Sequence, residues 1–139
     1  MFRGLYLALS FTFMVMHGTS AMNGELRIYK EPDFKRLRRI IGVSTTNLCY
    51  DMSCSELNDI TLSAKWTGLL TDGSAFSDGQ VKIAFYAGAN CTGEAAVLNT
   101  SRGRIHNFAE IGMNKTITSF AVLETSTTML HGTSKVCEW

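Results

Sequence analysis

The chain has 139 residues, with 13 lysines and arginines against 12 aspartates and glutamates, for a formal net charge of +1. That balance excludes the clear basic excess of a general nucleic-acid or membrane-surface binder, so no nucleic-acid partner is expected. The length suits one domain with a modest core.

In chain order, Arg3 comes first, then an uncharged run from Leu5 to Met16, then the small residues Gly18, Thr19, Ser20 and Ala21. A positive start, a short apolar stretch and small side chains before a cut make up an export signal. Residues 1–21 are therefore expected to be a cleaved signal peptide. The run is shorter than the roughly 20 apolar residues that span a membrane, and no second long apolar run follows. The mature chain is expected to lack a transmembrane segment, to be secreted and to be a monomer. Without Arg3, its acidic and basic residues balance.

Beyond the leader no long segment has helical apolar spacing. Short runs rich in β-branched and aromatic residues alternate with turn residues: Leu26 to Lys30, Arg38 to Thr45, Ile60 to Leu70, Val81 to Tyr86, Ala95 to Leu98 and Thr116 to Glu124. This spacing predicts an all-β domain over residues 22–139, an antiparallel sandwich or barrel. Thr71 to Gly79 is the richest turn region and reads as a linker between a first half near residues 25–70 and a second near 80–125. Residues 126–139 form a tail.

Cys49, Cys54, Cys91 and Cys137 all follow the leader. An even count behind an export signal predicts two disulfides, because the secretory route is oxidising. Of three connectivities, the favoured one closes a short loop with Cys49–Cys54 and ties down the tail with Cys91–Cys137. Asn90, Asn99 and Asn114 begin Asn-x-Ser/Thr sequons and are glycan sites in a eukaryotic secretory pathway.

The halves repeat. Tyr29 and Tyr86 open matching segments, while Asn58 and Ser63 are matched fifty-six residues later by Asn114 and Ser119. Two such units would stack their apolar faces into one core. The segment from Tyr29 through Phe34 to Arg36 resembles the βγ-crystallin Greek-key signature: an aromatic, four residues, a second aromatic, one residue and a glycine, with a serine in the unit's last strand. The second unit, from Tyr86 to Gly93, keeps the first aromatic and the glycine but has Cys91 for the second aromatic. In the first, Arg36 stands where the glycine would permit a positive φ. The resemblance implies two Greek-key units in a βγ-crystallin-like sandwich. Ile28-Tyr29, the Cys49-to-Cys54 loop, Asn58 to Trp66, Ile83 to Tyr86 with Cys91 and Gly93, and Ile117 to Phe120 further resemble small secreted crystallin-fold proteins of plant-pathogenic oomycetes and fungi.

That resemblance implies candidate Ca²⁺ positions, where the family motif has two Asn/Asp residues, two of any type, Ser/Thr and Ser. Asn58, Asp59 and Ser63 fill three positions in the first unit, with Leu62 in place of a hydroxyl; Asn114, Thr118 and Ser119 fill three in the second, with Lys115 in place of an acid or amide. Hard cations need several oxygen ligands, and a lysine beside one is repulsive, so the serines are expected chiefly to hold hairpins and no cofactor is assigned. The basic cluster Lys35, Arg36, Leu37, Arg38 resembles a degenerate Arg-x-Leu-Arg translocation signal of oomycete effectors; the alternative is a solvated strand face. His106 and His131 follow the leader without nucleophile or metal-ligand spacing, so no enzyme is expected. The expectation is a non-enzymatic effector or elicitor that binds an unknown host or microbial surface target, in the host apoplast or a host cell. The alternatives are a Ca²⁺-stabilised structural or stress protein and a crystallin-fold antimicrobial toxin.

Overall fold

The structure, a computed structural model, describes residues 22–54 and 56–137. The expected signal peptide lies outside them. The described residues form β1 (Gly24–Glu31), β2 (Lys35–Val43), β3 (Cys49–Asp51), β4 (Ser63–Thr67), β5 (Lys82–Gly88), β6 (Thr92–Asn99), β7 (Arg104–Ile105), β8 (Ser119–Leu123) and β9 (Thr133–Lys135), with three short 3₁₀ turns. They build two sheets, ordered β2-β1-β4-β7 and β6-β5-β8-β3-β9. The fold is the expected all-β sandwich of two Greek-key units.

Each run read from the sequence contains a strand, and β1 and β8 show two ways in which such runs serve a sandwich: β1 alternates buried and exposed side chains, while β8 is buried throughout. In β1, Leu26 and Ile28 are fully buried while Arg27 between them is exposed. In β5, Ile83 and Phe85 point to the same core. Core side chains of this size each contribute about 1.5–3 kcal/mol on burial. Phe85 sits at the centre, 4.9 Å edge-on from Phe108 and 5.9 Å from Trp66. The Trp66 indole N–H donates to the Thr100 carbonyl at 2.7 Å, so its buried polar edge is satisfied.

The two units exchange their third strands. β3 of the first joins β8 of the second, with Tyr50 opposite Phe120 and Asp51 opposite Ser119. β7 of the second joins β4 of the first, with Ala64 opposite Ile105 and Lys65 opposite Arg104. A backbone bond extends each crossing at equivalent residues, with donor and acceptor reversed: the Asn47 N–H donates to Val122 O at 2.7 Å, and the Trp66 N–H to Gly103 O at 3.0 Å. The tail adds β9, which runs parallel to β3 and covers its free edge from Cys49 to Asp51.

Candidate functional site

The hairpins β1–β2 and β5–β6 fold back over their own sheets, and a buried serine clasps each. The Ser63 hydroxyl donates to Glu31 O at 2.6 Å and accepts from the Phe34 N–H at 3.1 Å. The Ser119 hydroxyl donates to Gly88 O at 2.6 Å and accepts from the Cys91 N–H at 2.9 Å. Left-handed backbone recurs at matching places: Asp33, Phe34 and Arg36 at φ 58°, 61° and 57°, and Asn90, Cys91 and Gly93 at 56°, 54° and 80°. Arg36 thus takes the conformation for which glycine is suited, and the first hairpin forms despite its side chain, at a cost of about 1–2 kcal/mol.

The disulfide pairing differs from expectation. Cys49 bonds Cys91, with Cα atoms 5.8 Å apart, and Cys54 bonds Cys137, at 6.0 Å; the Cys49–Cys54 and Cys91–Cys137 pairs do not form. The reason is strand exchange. β3 carries Cys49 into the second sheet, under the β5–β6 hairpin where Cys91 stands. Cys54, just past β3, meets the tail that follows β9.

The candidate Ca²⁺ positions come together only in part. The Thr118 hydroxyl lies 3.1 Å from Asn58 Oδ1, 3.2 Å from Asp59 Oδ1 and 3.3 Å from Thr116 O. Ser63 and Ser119 face the hairpins instead, and no hydrogen bond joins the exposed Asn114 to this cluster. Ca²⁺ takes 6–8 oxygen ligands, yet the cluster has a single carboxylate, and Asp59 lines a cavity of about 190 Å³ together with Lys30 and Lys115. Two ammonium-bearing side chains beside one carboxylate do not fit a dedicated Ca²⁺ site. Among the described residues no group of three or more His, Cys, Asp or Glu could hold a metal ion.

Lys35, Arg36, Leu37 and Arg38 lie on β2, the outer strand of its sheet. Arg36 pairs with Glu31 at 3.4 Å and Arg38 with Glu56 at 3.7 Å. Both pairs are exposed and add little stability. Of the sequons, Asn90 is exposed at the turn of the second hairpin, and Asn99 Oδ1 accepts from Lys82 Nζ. The same ammonium holds Asp78, and that hydrogen bond, with the Gln80 N–H, keeps the Asp78 carboxyl below its ordinary range. Burial raises the Tyr86 hydroxyl above its usual value. His106 Nδ1 lies 3.5 Å from Asp33, and its ring 5.0 Å from Phe34.

What sequence reasoning missed is a lateral arrangement. Arg27, Lys65 and Arg104 are remote in sequence, and only strand register sets them side by side. No helix among the described residues is long and apolar enough to cross a membrane.

Strand order and the paired serine clasps together make this an all-β, βγ-crystallin-like fold. Among solved structures, the chain is similar to a βγ-crystallin domain from work on the evolution of the eye-lens βγ-crystallin domain fold (24% identity, TM-score 0.49, covering 77% of this chain and 91% of that one). It is similar to a βγ-crystallin domain from Flavobacterium johnsoniae (20% identity, TM-score 0.47, 74% and 98%). A single-substitution variant of a βγ-crystallin domain from Clostridium beijerinckii is also similar (14% identity, TM-score 0.47, 71% and 97%). No family model matches the chain. No curated protein matches it either.

Proposed function

We propose that this is a secreted, non-enzymatic protein that acts on another organism by binding, as a pathogen effector or elicitor. The observation that carries the reading is the cross-linked sandwich. All four cysteines are committed to disulfides, a chemistry favoured in oxidising compartments, and the two bonds fasten the exchanged strand β3 and the tail. The result is a rigid platform that presents strand faces and loops, as a protein working outside its own cell requires. The fold by itself does not choose the target.

The test is expression of the full chain in a leaf, in parallel with infiltration of the purified secreted protein. Cell death or immune suppression in either arm is the expected result, and comparing the arms locates the action inside or outside the cell. Unchanged tissue in both would overturn the effector reading.

A second reading is a structural or stress protein of crystallin type, in which the oxygens of Asn58, Asp59 and Thr118 give Ca²⁺ a weak contact rather than a dedicated site. A ligand that binds only the native state raises Tm. An unchanged Tm at millimolar Ca²⁺ would end that reading.

A further inference from the structure

The outer face of the first sheet carries a row of cations. Arg27 on β1 is directly opposite Lys65 on β4, and Lys65 is directly opposite Arg104 on β7. Their strand neighbours Leu26, Ile28, Ala64, Trp66 and Ile105 are buried, so the two-residue alternation of a strand turns the three cations outward. With strands about 4.8 Å apart, the three side chains are spread over about 10 Å in a line across the sheet. Glu25 holds Arg27 at 3.2 Å, whereas neither Lys65 nor Arg104 has a carboxylate partner among the described residues. Lys65 Nζ rests 4.2 Å from the centre of the Phe34 ring. A concavity of about 250 Å³ lies along Glu25, Arg27, Lys65 and Thr67.

We propose that this row binds a linear acidic polysaccharide, its uronate carboxylates seated in succession across β1, β4 and β7. The cations are set out in a line rather than converging on one point, which suits an extended anion with charges at short, repeated intervals. Thr67 and the half-buried Phe34 border the row with a hydroxyl and an apolar edge, matching the mixed hydroxyl and C–H surface of a sugar chain. A lipid surface would need several large apolar side chains projecting from the same place, whereas in line with the three cations stands one, the exposed Ile40 directly opposite Arg27 on β2. A duplex nucleic acid would draw on a wide positive field, which a nearly neutral chain does not supply.

The site deepens the binding role proposed above and rests on it. Its test is titration of the purified secreted protein with polygalacturonate oligomers at low and high salt. Neutral dextran, a DNA duplex and vesicles containing anionic lipid serve as the other arms. Polygalacturonate is expected to bind, more weakly as salt screens the charges, and dextran is expected not to bind. Lys65→Gln and Arg104→Gln should each weaken binding about two- to five-fold, and the triple variant with Arg27→Gln about tenfold or more. Lys35→Gln with Arg36→Gln, on β2, should leave the affinity unchanged; all five side chains are on the surface, and an unchanged Tm confirms that each variant is folded. Failure to bind polygalacturonate, equal weakening by the β2 pair, or tighter binding to DNA or vesicles would each overturn the proposal. A leaf response without polyuronate binding removes this site and keeps the effector role, whereas binding without a leaf response does the opposite.

Discussion

The two hairpins share a backbone and differ in what fastens it. Both use a buried serine, the same run of left-handed residues and the same contact from the strand before the clasp: Leu62 N–H to Tyr29 O, and Thr118 N–H to Tyr86 O, each at 2.9 Å. In the first, Phe34 packs edge-on against Tyr29 at 5.7 Å. In the second, the matching position is Cys91, bonded to Cys49 on the exchanged strand. The difference teaches that the fold demands a conformation and a clasp at these positions, while the anchoring chemistry is free to vary. Phe34 fastens the first hairpin by ring contacts, to Tyr29 of its own unit and to His106 of the second at 5.0 Å, whereas the disulfide fastens the second hairpin by a covalent bond to a strand contributed by the first.

The largest expected effect therefore comes from the covalent anchor. Cys49→Ala with Cys91→Ala should cost about 2–5 kcal/mol in urea unfolding, and Phe34→Ala about 1–2 kcal/mol, since an exposed-side aromatic pair adds about 0.5–1.5 kcal/mol beyond its buried area. Equal losses would break the contrast between the anchors. The clasps come next. Ser63→Ala and Ser119→Ala each strand a backbone N–H and a carbonyl, and each should cost about 1–3 kcal/mol; a loss confined to one would show that the repeat is not energetically real. Smaller again is the backbone term. Arg36→Gly should raise stability by about 1 kcal/mol, and Gly93→Ala should lower it by about the same, because left-handed φ is free only for glycine.

The smallest effect belongs to a feature of the second unit alone, the hold of Lys82 on Asp78. A carboxyl whose folded value is lowered stabilises the fold above the ordinary carboxylate range, and that contribution is lost as pH falls through the lowered value. A Tm profile in acid should thus show a slightly shallower fall for Asp78→Asn than for the unaltered protein. Coinciding profiles would remove Asp78 from the account.

The strands legible in sequence, β1, β2, β4, β5, β6 and β8, each have five or more residues, enough for a run of β-branched, aromatic and apolar residues to register. The unread ones, β3, β7 and β9, are two or three residues long, too short for a period of two to register. They are also the strands that cross between units or come from the tail. This is why the sequence points to the wrong disulfide pairing: Cys49 and Cys54 are near in sequence, but the crossing of β3 sends them toward different partners. The serines at positions 63 and 119 were legible because repetition exposed them. The cation row was not, since Arg27, Lys65 and Arg104 lie on three strands whose register only folding sets.

The most direct test of the cross-linked, exchanged architecture is disulfide mapping by mass spectrometry of the purified protein, alkylated and digested without reduction. Peptides joining Cys49 to Cys91 and Cys54 to Cys137 are the predicted result. Cys49–Cys54 and Cys91–Cys137 linkages, or four free thiols, would contradict both the path of β3 and the extracellular role proposed on it.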